Sequence, residues 1–228
     1  MSNVEISNEL ILEMANQGVL SGHNKSRTHP KMKRYIGAMR NEIEIFKPEA
    51  TLNTLNKAAA FLKEIMAKKG LVLIIGTEPA AHESVIKLSN QFNFPRVITR
   101  WLGGTLTNFT IMKERLSYYQ NLKLKKERGE LSKYTKKEQS IFGKELNKLS
   151  EKFEGLLKLE RLPDAIFVIN GVSHQTAIRE AKKVNIPVIA IIDSNNNPDG
   201  ISYPIVANDH ARASINWVVD RILGIIQT

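Results

Sequence analysis

Three short runs of the sequence are apolar at every position, which is the pattern of parallel strands buried on both faces. These runs are 71–76, 165–169 and 188–192. Residues 42–46 alternate between charged and apolar side chains and predict a short, half-exposed strand. A weaker strand is predicted at 201–206.

Apolar residues spaced three and four apart predict helices between and around these strands. The predicted helices span Ile6–Val19, Thr51–Lys69, Ala80–Phe92, His174–Val184 and Asp209–Ile226. Ser7 or Asn8 is placed to cap the first helix, and Gly18 and Gly70 are placed to end the first two. Because buried strands alternate with helices, the sequence predicts an α/β fold in which helices cover both faces of a parallel sheet.

The stretch from Phe109 to Lys158 interrupts this alternation and contains no run typical of a buried strand. Two sets of apolar residues step through it by three and four, in the narrow pattern of a coiled-coil seam. These residues are Phe109, Met112, Leu116 and Tyr119, followed by Phe142, Leu146, Leu149, Phe153 and Leu156. Thr135 and Glu138 have the spacing of a capping box at the start of the second helix. We therefore predict an antiparallel coiled-coil helical hairpin at 109–158, inserted into an α/β sheet domain of residues 1–108 and 159–228 with an N-terminal basic extension.

The composition favours a soluble, intracellular protein. The chain of 228 residues is 42% hydrophobic, enough to fill a core, and it contains no cysteine, which excludes disulfides and thiolate chemistry. No apolar run approaches the roughly 18 residues that a membrane span needs. The first ten residues carry two glutamates and no basic residue, unlike a secretory signal.

Positive charge is concentrated in three stretches of the chain. The 33 Lys and Arg residues exceed the 23 Asp and Glu residues by ten. Residues 14–41 hold six basic residues and no acid, residues 84–113 hold four and no acid, and residues 114–158 hold twelve against seven. The rest of the chain is net negative. Such segregation creates local potential that attracts polyanions, and without a lipid-anchoring signal it favours nucleic acid over a membrane.

Motifs for catalysis and cofactor binding are absent from the sequence, including G-x-G-x-x-G after a strand, the P-loop and G-x-S-x-G. Gly76–Pro79 opens a helix where an anion can bind, but its single glycine favours a plain turn. Asp193–Gly200 resembles a calcium loop, yet its glycine falls two places late, so a polar turn is favoured. No two of the five histidines have the helical spacing of a zinc site, so we expect no metal and no cofactor.

Two basic stretches are the candidate RNA-binding segments. Residues 22–36 follow neither period and are broken by Gly22 and Pro30, so we predict an ordered loop on a basic surface. Residues 100–109 place short donors beside arginine, which suits phosphate and 2′-hydroxyl contacts, although a core-and-turn interpretation of this stretch is equally open. The candidate RNA-binding residues are His23, Lys25, Arg27, His29, Lys31, Lys33, Arg34, Arg96, Arg100, Thr105, Thr107 and Asn108.

Four stretches, taken in order, resemble a known family. They are Gly22-His23 with 29–32, 35–36 and 40–41; Arg100 to Phe109; Leu162 to Val168; and Ile186 to Asp193 with Asn195, Pro198-Asp199 and Asn208-Asp209. Together they are similar to the bacterial-type family of small ribosomal subunit protein S2 over nearly the whole chain. The sequence departs from the family's usual pattern at five residues in four places, namely Ser21, Thr110-Ile111, Ala207 and His210.

The resemblance implies a flavodoxin-like parallel sheet with an inserted coiled-coil hairpin, and a structural, non-enzymatic role in translation. Family members bind small-subunit ribosomal RNA between the head and body and help to recruit the mRNA-binding protein S1. The implied partners are therefore rRNA and neighbouring ribosomal proteins, including S1, with no membrane and no small-molecule substrate. The implied location is cytoplasmic and ribosome-bound, and an organellar ribosome stays open.

Two other functions are compatible with the sequence. A soluble enzyme would use the carboxyl ends of the strands, around Thr77, Asn170 and Asp193, to act on a small anionic metabolite, as the fold alone allows. An interaction scaffold would use the hairpin without RNA, but it leaves the two acid-free basic stretches unexplained.

Overall fold

The computed structural model describes residues 7–227, which form eight strands and seven α-helices. The strands are β1 Ser21–Asn24, β2 Ile36–Arg40, β3 Ile43–Phe46, β4 Val72–Ile75, β5 Arg96–Val97, β6 Ala165–Ile169, β7 Val188–Ile192 and β8 Tyr203–Val206. The helices are α1 Asn8–Asn16, α2 Pro48–Ala67, α3 Pro79–Phe92, α4 Phe109–Glu127, α5 Lys136–Phe153, α6 Gln175–Lys183 and α7 Arg212–Gln227.

The central sheet is parallel and has five strands in the order β5-β4-β6-β7-β8. Every residue of β4, β6 and β7 is buried, as expected for strands covered on both faces. Helix α2 packs on β8, α3 on β4 and α6 on β7, and α7 packs against both α2 and α3. The predicted α/β fold, a parallel sheet flanked by helices, is confirmed.

The predicted strands at 165–169 and 188–192 coincide with β6 and β7, whereas some helix ends differ from prediction. Ser7 caps α1 as predicted, and the predicted start at Ile6 lies outside the described residues. Helix α7 begins at Arg212 rather than Asp209 because the Asn208 side chain accepts hydrogen bonds from the backbone N–H groups of His210 and Ala211, which holds a turn. Within residues 7–227, no helix is long and apolar enough to cross a membrane.

A second, antiparallel sheet of three strands, ordered β1-β3-β2, contains part of the predicted loop at 22–36. The prediction of a loop over residues 22–36 is wrong for Gly22–Asn24, which belong to β1. Strand β1 forms because Ser21 and Asn24 pair with Ile45 and Ile43 of β3, so tertiary pairing outweighs the weak strand propensity of its residues. Two short 3-10 helices, 25–27 and 30–35, follow it, and Met32 in the second is fully buried.

Helices α4 and α5 occupy the stretch predicted as a helical hairpin, and they contact each other. Their buried residues include Met112, Leu116, Tyr119, Leu122, Leu146 and Phe153, most of which lie on the predicted seam. The capping box of Thr135 and Glu138 is present at the start of α5. The coiled-coil geometry and the domain boundaries at 108 and 159 stay predictions.

We expect Leu73→Ala in β4 to lower the free energy of unfolding by about 2–5 kcal/mol, because it removes a fully buried side chain and leaves a cavity. Urea unfolding measures the change. Leu12→Ala is the control, since Leu12 is 62% exposed and its truncation should change stability by no more than about 0.5 kcal/mol. Equal losses in the two variants would contradict this account of the core.

Candidate nucleic-acid interface

The N-terminal basic loop, residues 25–34, and strand β1 before it are bound to the residues that directly follow β7. The backbone N–H of His23 donates to Ser194 Oγ at 2.9 Å, and the backbone N–H of His29 donates to the Ser194 carbonyl at 2.8 Å. His23 Nδ1 lies 2.9 Å from Asp193 Oδ2, and the exposed Lys31 forms an ion pair with Asp199. These contacts hold the predicted basic loop in one place on the rigid sheet.

Several cations of this loop are free to meet a partner. Lys25, Arg27 and Lys33 are exposed, and within residues 7–227 no hydrogen bond or ion pair engages their side chains. Arg34 is also exposed; its guanidinium lies 4.6 Å above the Tyr35 ring and donates to the Tyr35 hydroxyl at 2.7 Å. The loop therefore presents positive charge that is not paired within the described residues, together with the planar guanidinium of Arg34.

The second candidate segment is held by one carboxylate, that of Glu180 on α6. Its Oε1 accepts from Trp101 Nε1 at 3.0 Å and from the Gly104 backbone at 2.8 Å. Its Oε2 accepts from the Leu106 backbone at 3.1 Å, and from the Thr107 backbone and hydroxyl at 3.3 Å each. Segment 101–107 is therefore wrapped around a buried carboxylate of its own chain.

The candidate residues of this segment divide into internal and outward-facing groups. Thr105 is buried and its hydroxyl donates to the Leu102 carbonyl, so the expectation of an exposed donor is wrong there. The half-buried Arg96 donates to Ser89 and Asn90 of α3. Arg100, Thr107 and Asn108 are exposed, although the Thr107 hydroxyl is used by Glu180.

Sequence reasoning missed Glu180, although the sequence carries a signal for it. On α6 it lies among Ala177, Ile178 and Ala181, on the face whose other residues are apolar and buried. Burial by itself raises the pKa of the Glu180 carboxyl, but the hydrogen bonds from Trp101 and from the backbone of segment 104–107 outweigh it, so its pKa is lowered. A charged residue on the apolar face of a helix indicates such a partner set.

Polar groups at the carboxyl edge of the sheet also face one another. Asp209 is buried, and the pKa of its carboxyl lies well above the usual range. Burial is the main cause, and repulsion from the nearby Asp193 and Glu78 carboxylates adds to it. His210 Nε2 lies 3.3 Å from Asp209 Oδ1 without forming a hydrogen bond, and the His23 and His210 rings are 4.9 Å apart. In the described part of the chain, no three His, Asp or Glu residues are grouped so that they could hold a metal ion.

The residues suggested for an enzyme are engaged with the rest of the chain. The Thr77 hydroxyl lies 3.1 Å from His174 Nε2, and Asn170 Nδ2 donates to Glu78 at 2.7 Å. Asp193 faces His23, and the backbone bond from Asn196 N–H to the Asp193 carbonyl closes the turn predicted after β7. Contacts within the chain thus engage these groups at the edge where open α/β sheets usually bind ligands.

The sequence matches the family model described as Ribosomal protein S2 over residues 14–228. It is 35% identical over 212 residues to the small ribosomal subunit protein uS2 of Dehalococcoides mccartyi, which covers 93% of this chain and 86% of the relative. The uS2 protein of Roseiflexus castenholzii is 39% identical over 90% of this chain and 78% of its own length. That of Nocardia farcinica is 40% identical over 87% of this chain and 70% of its own length.

The parallel sheet flanked by helices and the exposed cations define the chain as a basic α/β protein with a flavodoxin-like fold. The comparisons with known proteins identify its family. The chain belongs to the ribosomal protein S2 family. The resemblance found from four sequence stretches is thereby confirmed, as is the expectation of a structural ribosomal protein that is not an enzyme.

We expect Glu180→Ala to lower the free energy of unfolding by about 2–4 kcal/mol, because it leaves several backbone N–H donors without an acceptor. Glu180→Gln should cost less, since one amide oxygen remains to accept. Urea unfolding measures both variants, with Glu160→Ala as the exposed control. The interpretation fails if Glu180→Ala is as stable as that control.

The contact between His23 and Asp193 should make stability depend on pH. The Asp193 carboxylate raises the pKa of His23 above its ordinary value of 6.5, against the opposing effects of burial and Arg27. The stabilisation is then complete below about pH 6.5 and is lost as the pH rises through the raised pKa of the folded state. We expect the wild type to exceed His23→Gln in unfolding free energy by more at pH 5.5 than at pH 8.5.

Asp193→Asn serves as the matched variant, because it removes the charge but keeps an acceptor for the Ser194 backbone N–H. The unfolding free energy of wild type should exceed that of Asp193→Asn by more at pH 5.5 than at pH 8.5, as for His23→Gln. Urea unfolding at both pH values measures this. A difference from wild type that is constant with pH in both variants would argue against the pair.

Proposed function

We propose that this S2 family member is a structural constituent of the small ribosomal subunit, which binds folded ribosomal RNA through its N-terminal basic loop, residues 25–34. It makes and breaks no covalent bond in this role. The observation that carries the proposal is the set of exposed, unpaired cations on a loop that hydrogen bonds fix to the sheet.

The loop suits an RNA backbone because of its charge and its order. Lys25, Arg27, Lys33 and Arg34 lie within ten residues that contain no acid, so positive charge dominates this segment. Two acids from other segments lie beside it, Glu44, which accepts from the Thr28 hydroxyl, and Asp199, which pairs with Lys31. The buried Met32 and the backbone bonds to Ser194 hold the loop before binding, which lowers the entropy lost on association. The ion pair between Lys31 and Asp199 is exposed, so its weak stabilisation opposes an exchange for a phosphate only slightly.

Arg100 and Asn108 extend the same proposal to the second segment, because both side chains are exposed. Arg34 adds a planar cation stacked on Tyr35, a group that stacks on bases or pairs with phosphate. Structured RNA is read mainly by shape and backbone, so we expect little dependence on base sequence. Thr105 takes no part, since it is buried.

The partners follow from the role. As a ribosomal protein, the chain has ribosomal RNA and neighbouring ribosomal proteins as partners, and its location is the cytoplasmic ribosome. The finer proposal that protein S1 is one of these neighbours is supported by the family resemblance alone.

The test compares two triple variants that remove the same charge. Lys25→Gln/Arg27→Gln/Lys33→Gln changes the loop, and Lys57→Gln/Lys63→Gln/Lys68→Gln changes two exposed lysines of α2 and the exposed lysine that directly follows it. Affinity for small-subunit rRNA is measured across a salt series. Each lost phosphate contact should flatten the slope of log affinity against log salt by about 0.7–0.9, so we expect a change of about 2–3 for the loop variant.

The α2 variant should keep the wild-type slope, because its lysines lie outside the proposed surface. Co-sedimentation with small subunits that lack this protein provides a second readout, in which the loop variant should be released at lower salt. Equal slopes for the two variants would show that only net charge matters and would overturn the proposed role of the loop.

A further inference from the structure

Helix α6 joins the two candidate segments. Through Glu180 it holds segment 101–107, on the side of the helix that is buried. Near its other end, Lys182 lies beside the β7–β8 connection, where a Cβ on Gly200 would be 3.7 Å from Lys182 Cδ. The neighbour of Gly200, Asp199, forms the ion pair with Lys31 of the N-terminal basic loop.

The outer face of α6 is cationic. Its exposed residues are Gln175, Thr176, Arg179, Lys182 and Lys183. The only acid in the helix, Glu180, points to the opposite face and is saturated by hydrogen bonds. Three cations therefore stand on this face without an acidic neighbour in the helix.

These three cations form few contacts with other side chains of the described residues. Among residues 7–227, no hydrogen bond or ion pair engages the side chain of Lys182 or Lys183. Arg179 donates from Nη2 to Gln175 Oε1 at 3.1 Å, a neutral acceptor that leaves most of the guanidinium donors unused.

Lysines in the last turn of a helix interact favourably with the helix dipole. This interaction alone can explain why Lys182 and Lys183 stand at the end of α6, with no need for a binding partner. That effect falls off within one turn and does not reach Arg179. An exposed arginine with spare donors, next to two further cations, suits a polyanion better than a neutral solvent face.

From this placement we infer that the outer face of α6, with Arg179 and Lys183 as its main contacts, binds RNA phosphates and connects the N-terminal basic loop with segment 100–108 in one continuous surface. The inference rests on the proposed function and adds a third element to it. Its ligand is the backbone of structured RNA, because the face offers charge and few groups arranged to read bases.

The test uses the full chain and small-subunit rRNA. Arg179→Gln/Lys183→Gln removes two charges from α6, and Lys57→Gln/Lys63→Gln removes two from the exposed face of α2 as the matched control. We expect the α6 variant to flatten the salt slope by about 1.4–1.8, the effect of two phosphate contacts, and the control to leave it unchanged. The urea unfolding midpoint of the α6 variant reports whether it is folded.

Arg179→Lys keeps the charge and should keep the wild-type salt slope. If the double variant is unstable, the single variants Arg179→Gln and Arg179→Lys are compared instead. Arg179→Gln alone should flatten the slope by about 0.7–0.9. An α6 variant with the control's slope overturns the inference, while a flattened slope in the loop variant would still support the proposed function. If neither variant changes the slope, the proposed function itself fails. Unchanged RNA binding with weakened co-sedimentation would assign α6 to a protein partner and also overturn the inference.

Discussion

The carboxylate of Glu180 fixes the path of the chain where it leaves the parallel sheet and enters α4. A buried charge is costly unless its hydrogen-bonding capacity is filled, and here donors from Trp101 and segment 104–107 fill it. Three of the five hydrogen bonds to Glu180 come from the backbone N–H groups of Gly104, Leu106 and Thr107, which would otherwise be unpaired. Glu180 thus helps to hold the helical pair against the sheet, together with the hydrogen bond from the Thr99 hydroxyl to the Glu151 carbonyl of α5.

A similar arrangement occurs at the carboxyl edge of the parallel sheet. Parallel α/β sheets usually leave a crevice there, lined by the loops that follow the strands. In this chain His23 and the backbone of the N-terminal basic loop contact Asp193 and Ser194 at that edge. Some polar groups at this edge are bound to each other, whereas Asp209 Oδ1 forms no hydrogen bond among the described residues. The cations Lys25, Arg27 and Lys33 lie on the outward side of the loop and are exposed.

The sequence predicts those parts of the fold that depend on local pattern. Strands β6 and β7 match their apolar runs, and the capping box at Thr135 starts α5 as its spacing indicates. Strand β1 was beyond prediction because polar residues formed it only by pairing with β3, which lies far along the chain. Thr105 looked like an exposed donor for the same reason, since the side chain that orders its segment lies on α6.

The pairing of β4 with β6 has a consequence for how the chain folds. Val72 lies beside Ala165, so the sheet closes only after a long stretch containing α3, β5, α4 and α5 has been brought round. Such closure costs entropy that grows with the logarithm of the loop length, and non-local pairing slows folding. Contacts within α4 and α5 are local in sequence, so their early formation would shorten the effective loop. A folded α4–α5 pair thus leaves less flexible chain to be closed between β4 and β6.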